Sequence, residues 1–226
     1  MHPDKTLEIP TDLAEATLGE IAVKLAGATA VFRAANLDYC CGGQITLKDA
    51  AAAASIDLDE IITDLARLQR EDTPTTADLD TPSLVDTIIS RYHRVHSQEL
   101  PELIRLAERV EEVHRNHPAA PTGLASLLKD MLGELTIHMQ KEELMLFPRM
   151  RNGASQGVQE PISVMMTEHV EHGTHLEALK DLTGNMQTPE DGCATWRALY
   201  AGITKFADDL VEHIHTENNI LFPRFL

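Results

Sequence analysis

The pattern H-x-x-x-E-x-x-x-L-F-P-R occurs twice in the chain, at 138–149 and at 213–224. Each copy sets a histidine four residues before a glutamate: His138 before Glu142, and His213 before Glu217. On a helix this spacing puts both side chains on one face, about one turn apart. A mixed set of imidazole nitrogens and carboxylate oxygens suits a first-row transition metal better than calcium or magnesium, which favour oxygen alone.

The residues before each pair say that it faces a core. Leu124, Leu128, Met131 and Leu135 lead into His138, Glu142 and Met145; Leu199, Ile203, Phe206 and Leu210 lead into His213, Glu217 and Ile220. Steps of three and four residues trace the inward stripe of a helix. An imidazole and a carboxylate there are costly to desolvate without a partner. Two other stripes offer partners: Ile89, His93, His96, Leu100 and Leu103 in one, and Ile162, Met166, His169, Gly173 and Leu176 in the other. His138 follows His93 by 45 residues and His213 follows His169 by 44, so the chain reads as a helical hairpin written twice, with its two halves facing each other. Spacing alone leaves His96 in competition with His93, and His172 with His169.

Four imidazoles and two carboxylates fit two metals about 3.5–4 Å apart, bridged by Glu142 and Glu217 and each held by two histidines. Iron is the first expectation, ahead of manganese or zinc, and six ligands leave positions open for water or a small molecule. His114, His117, His175 and His215 are expected at the surface, at helix ends or around the ligands. Phe147 and Phe222 are expected to plug the bundle end, with Pro148 and Pro223 marking helix termini.

The elements that must position these groups are legible in the pattern. Four long helical stretches, at about 83–117, 122–150, 158–184 and 190–222, are separated by "HPAAPTG", "RNGASQG" and "GNMQTPEDG". Long amphipathic helices with short connections predict an up-down-up-down four-helix bundle over 83–226. Pro101 is expected to bend the first of them or leave hydrogen bonds open. A Thr-, Asp- and Pro-rich linker is expected over 73–82, after a small helical domain over 1–72. That domain should hold helices in "TLGEIAVKLAG", "ATAVFRAANL", "TLKDAAAAA" and "DLDEIITDLARLQ", with Thr46 and Asp57 as N-caps and "DYCCGG" as a turn. The fold class expected is all-α.

Composition narrows the partners. The net charge is −17, and an acidic surface repels phosphate backbones and anionic headgroups, so neither nucleic acid nor membrane is an expected partner. The start "MHPDKTLEIP" lacks the features of a signal peptide, and no stretch approaches 18 apolar residues. Three cysteines, two of them adjacent, do not make a disulfide framework, and the expected compartment is the cytoplasm.

The adjacent pair, Cys40 and Cys41, has Cα atoms about 3.8 Å apart across a trans peptide. A bridge between them is strained and therefore reducible. The pair reads either as redox or iron-transfer thiols, as a subunit contact, or as two small residues closing a turn with Gly42 and Gly43. Cys193 is expected to be unremarkable.

Together, "RYHRVHSQELPEL", "HMQKEELMLFP", "PISVMMTEH" and "HIHTENNILFPR", preceded by "LDYCCGG", resemble the RIC (repair of iron centres) family of the YtfE/ScdA type over nearly the whole chain. The resemblance implies a cysteine-bearing N-terminal domain followed by a hemerythrin-like bundle with a non-haem di-iron centre, with or without an oxo bridge. It implies His93, His138, Glu142, His169, His213 and Glu217 as the iron ligands, and so decides for His93 over His96 and for His169 over His172. It implies repair of iron–sulfur clusters damaged by oxidative or nitrosative stress, with iron supplied to damaged or apo iron–sulfur proteins. The alternative is an enzyme acting on nitric oxide, oxygen or peroxide, in which Glu168 or a spare histidine moves protons, or a sensor in which ligand binding moves the small domain; His96, Glu168 and His172 are expected behind the ligands. A homodimer through the small domain is a further expectation. Oxygen-carrying hemerythrins have a further histidine where this chain has Gly173, and a longer H-x-x-x-x-D spacing in the last helix. One imidazole fewer implies a more open and labile site.

Overall fold

In the computed structural model, residues 12–68, 76–153 and 156–226 are described. Every regular element among them is helical, as expected for an all-α chain. The chain forms two compact units, one from the described residues up to Asp80 with Ile214–Arg224, the other from Thr81–His213 with Phe225–Leu226.

The first unit holds four short helices, α1 (Leu18–Lys24), α2 (Ala28–Ala34), α3 (Leu47–Ala54) and α4 (Leu58–Leu68). Local chemistry sets their starts. Thr17 and Glu20 form a reciprocal capping box on α1, and the Thr46 hydroxyl accepts from Asp49 N–H on α3. Asp57 Oδ1 accepts from Asp59 N–H at 2.9 Å at the head of α4, as the sequence suggests. Leu18, Ile21, Phe32, Leu47, Ile61 and Leu65 form the core of this unit. Of the expected linker, 73–75 lie outside the described residues, Thr76–Asp78 forms one 3₁₀ turn, and α5 opens at Thr81. The Arg224 guanidinium closes that turn by donating to Leu79 O at 2.8 Å and Ala77 O at 3.1 Å.

The bundle consists of four helical runs. The first is α5 (Thr81–Ile88), a π-helical segment Ile89–His93, and α6 (Arg94–Val113). The second is α7 (Leu124–Lys141), a π segment Glu142–Leu146, and α8 (Phe147–Arg151). The third is the uninterrupted α9 (Gln159–Thr183), stopped by Gly184 in the left-handed conformation. The fourth is α10 (Ala194–His215), a π segment Thr216–Leu221, and a 3₁₀ turn Phe222–Arg224. Contacts of α5 with α8 and of α6 with α7 make the first two runs antiparallel.

The π segments are what the sequence pattern does not show. In each, the next amide donates five residues back: Arg94 N–H to Ile89 O, Phe147 N–H to Glu142 O, and Phe222 N–H to Glu217 O. The wide turn adds one residue and rotates everything beyond it by about 100° relative to an α-helix. Met145, expected on the inward stripe, is therefore 61% exposed, while Leu146 is 2% exposed. Ile88 rather than Ile89 is fully buried for the same reason. Met166 is also turned outward, but here α9 is an uninterrupted α-helix. Two adjacent methionines satisfied the periodicity equally, and Met165 takes the core place.

The two expected helix markers behave differently. Pro148 lies inside the second run, which continues to Arg151, because the π segment before it already abandons the i→i−4 ladder that proline cannot join. Pro101 does not interrupt α6. The register shift has a direct test by urea denaturation of the metal-free chain. Leu146→Ala should cost about 2–5 kcal/mol, and Met145→Ala no more than about 0.5 kcal/mol. The reverse order would contradict the π register.

Candidate metal centre

Three of the six expected ligands sit in π segments: His93 at the end of the first, Glu142 at the start of the second, and Glu217 in the third. His138 and His213 stand one turn before the two glutamates, and His169 comes from α9. All six are at most 2% exposed. Their ligand atoms gather into two groups, His93–Glu142–His213–Glu217 and His138–Glu142–His169–Glu217, with the atoms of each group within 4.8 Å of one another. Each group takes one histidine from each half of the duplicated sequence, and both glutamates are common to the two.

The distances define which atoms converge. His93 Nε2 is 3.1 Å from His213 Nε2 and 3.4 Å from Glu142 Oε2. His138 Nε2 is 3.1 Å from His169 Nε2 and 3.5 Å from Glu142 Oε1. The opposite nitrogens are engaged by carboxylates: His93 Nδ1 by Glu143 at 2.8 Å, and His138 Nδ1 by Glu168 at 2.8 Å. A carboxylate only accepts, so Nδ1 carries the hydrogen and Nε2 of the neutral ring presents a lone pair. Burial disfavours the Glu168 carboxylate, but hydrogen bonds from Lys141 and His138 hold it below the usual carboxylate range.

Lone pairs of His93 and His138 thus point at the two oxygens of Glu142, and neither oxygen has a hydrogen-bond donor. A fully buried carboxylate faced by acceptors is strongly unfavourable without positive charge between them. The donor set fits cations bound in both groups, two nitrogens and shared oxygens around each. The walls are aromatic: Tyr92 stacks on His213 with centroids 5.2 Å apart, and Phe147 stacks on His93 at 5.7 Å. Phe147 and Phe222 are both buried.

His96 and His172 are buried beside the two groups and belong to neither. Burial, then the nearby His213, pushes His96 down to about 2; burial, then His138, pushes His172 down to about 3. Both rings stay neutral. Glu143 escaped the sequence reading because it follows a stronger candidate in "KEEL", and its part in orienting His93 appears only once the π turn swings it sideways. Cys193, expected to be unremarkable, lies 3.2 Å from His114 Nε2, and that contact brings its thiol down to about 7.

The cysteine turn is built around Asp38. Its Oδ1 accepts from Cys40 N–H at 3.2 Å and Cys41 N–H at 3.0 Å, and its Oδ2 from Gly42 N–H at 2.9 Å. Neither cysteine is in a disulfide, their Sγ atoms are 3.6 Å apart, and Asp38, Cys40 and Cys41 form a third group of convergent ligand atoms. The hydrogen bond to Cys41, then burial, pushes the Cys40 thiol far above its ordinary range. Asn218 and Asn219, next in sequence to Glu217, donate to Cys40 O at 3.0 Å and Tyr39 O at 3.1 Å. A side chain at Gly43 would meet Tyr39 O at 2.5 Å, so only glycine lets the turn close.

A helical bundle with buried imidazoles grouped around shared carboxylates defines a hemerythrin-like cation-binding protein. Residues 84–225 match the hemerythrin HHE cation binding domain, and residues 14–69 match ScdA_N, a domain of unknown function (DUF542). The chain is 47% identical over 213 residues to the iron-sulfur cluster repair protein YtfE of Dickeya chrysanthemi, covering 93% of this chain and 96% of that protein. It is 46% identical over 217 residues to the YtfE of Yersinia pseudotuberculosis (95% and 98% covered), and 47% over 215 residues to that of Musicola paradisiaca (94% and 96%). The chain belongs to this family of hemerythrin-like, YtfE-type proteins.

The carboxylates behind the imidazoles have a measurable effect. Glu168→Gln and Glu143→Gln should each weaken metal retention about 10–100-fold, read by competition with a chromophoric chelator. Parent-like retention in both would show that these carboxylates do not hold the rings.

Proposed function

We propose that this chain repairs iron–sulfur clusters by holding two iron ions in the bundle and giving them up to damaged or apo iron–sulfur proteins. His93 and His213 would hold one iron and His138 and His169 the other, with Glu142 and Glu217 common to both groups. Bound iron here is cargo, and its redox chemistry is available when oxygen or nitric oxide reaches it. The observation that carries the reading is Glu142, fully buried, without a donor on either oxygen, and shared by both groups.

The chain's own residues account for retention and release. Glu143 and Glu168 fix the rings of His93 and His138 and keep their Nε2 atoms aimed inward. Lys141, bonded to Glu168, keeps that carboxylate in place, and both lie near enough to the surface for protons to reach them. His138 Nδ1 already carries its hydrogen, so a proton arriving here goes to Glu168, which then no longer fixes the ring, and proton access at Glu168 favours release. Cys40 and Cys41, with Asp38 beside them, are the thiols that pass iron on. No helix among the described residues is long and apolar enough to cross a membrane, and the net charge of −17 disfavours nucleic acid. Both fit work in the cytoplasm on protein partners.

The test loads the chain with iron anaerobically and incubates it with an apo iron–sulfur protein, a thiol and sulfide. After re-separation, about two irons per chain should fall toward zero while a cluster forms in the acceptor. Cys40→Ser with Cys41→Ser should slow the transfer. Two irons retained, with steady turnover of nitric oxide or peroxide, would replace the donor with an enzyme.

A further inference from the structure

A separate set of metal-ligating side chains is assembled outside the two central groups. Glu134 of α7 and His172 and His175 of α9 each bring one ligand atom within 4.8 Å of the other two. The histidines are three residues apart, so one face of α9 offers both imidazoles. Across from them Glu134 Oε2 lies 3.2 Å from His175 Nδ1. The set grades inward: the Glu134 side chain is 48% exposed, that of His175 24%, and His172 only 2%.

His172 is the residue that calls for a ligand. Neither of its ring nitrogens has a hydrogen-bond partner, although the ring is buried and one nitrogen is aimed into the set. The neighbouring His138 cannot satisfy it. That ring packs edge-on with centroids 5.1 Å apart, and its two nitrogens already face Glu168 on one side and His169 with Glu142 on the other.

We propose that Glu134, His172 and His175 form a third, mononuclear cation site for a first-row divalent metal such as Fe²⁺ or Zn²⁺. Two imidazoles and one carboxylate on one side of an ion, with water on the other, is the two-histidine, one-carboxylate arrangement that such metals accept. Calcium and magnesium are disfavoured because only one of the three donors is oxygen. Metal–ligand bonds of about 2.1 Å place ligand atoms about 3–3.5 Å apart; Glu134 Oε2 and His175 Nδ1 already have that separation, and His172 lies within 4.8 Å of both. None of the three belongs to the central six. The site therefore stands or falls independently of the cluster-repair reading.

The experiment titrates a metal-free Cys40→Ser, Cys41→Ser parent, in which the thiol group of the N-terminal turn takes up no metal, with Co²⁺ under anaerobic conditions, following heat and visible absorption together. The parent should take up about three ions per chain, and Glu134→Gln with His175→Ala about two, with the lost ion weakened at least tenfold. Both substituted residues are partly exposed, and an unchanged melting temperature without metal shows that the fold is kept. A conservative Glu134→Asp variant should recover the third ion at reduced affinity. A parent that saturates at two ions, or a double variant that still binds three, overturns the site. Failure of the central ligands shows differently, as loss of two ions by the His138→Ala, His213→Ala variant failing to occur.

Discussion

Everything in this bundle answers to one constraint: two carboxylates sit fully buried among imidazoles, with the Nε2 lone pairs of His93 and His138 turned toward Glu142. Glu142 and Glu217 are fully buried, and Glu142 has no donor on either oxygen. A helix core made of Leu, Ile and Phe would hold together better without them. The two glutamates are retained at a cost to the apo fold, and bound cations offset it.

The constraint reaches outward through the helices. Ligands from four runs must meet at one level, and straight helices with fixed 3.6-residue turns deliver them only approximately. The π segments at His93, Glu142 and Glu217 supply the adjustment, each widening one turn that contains one of these residues. In the two H-x-x-x-E copies the proline of L-F-P-R follows directly. Pro148 and Pro223 cannot donate to an i−4 carbonyl, so the wide turn before them sacrifices less than it would elsewhere. Arg149 and Arg224 then donate to backbone carbonyls, Gly157 O and Leu79 O, that secure the chain beside each end. The repeated motif thus encodes a ligand pair, a wide turn and an anchor in twelve residues.

Much of this was legible in the residues, and the failures have physical causes. The all-helical fold, the four long runs, the caps at Thr46 and Asp57, and the convergence of His93, His138, Glu142, His169, His213 and Glu217 follow from periodicity, spacing and family resemblance. Periodicity assumes an unbroken α-helix, so it misplaced Met145 and Ile89, each of which lies inside a π segment. It could not choose between Met165 and Met166, which are equally apolar. The cross-pairing of His93 with His213 and of His138 with His169 was also beyond it, because spacing along a chain fixes which residues share a stripe but not which stripe faces which. Glu143 and the His114–Cys193 contact depend on tertiary placement alone.

The central claim is that Glu142 and Glu217 are shared by two metals rather than serving one each. Variable-temperature Mössbauer spectroscopy of the iron-loaded chain in a strong applied field tests it most directly. Shared carboxylates predict two irons in similar nitrogen–oxygen surroundings whose spins are coupled to each other. Two magnetically independent high-spin irons would contradict the account.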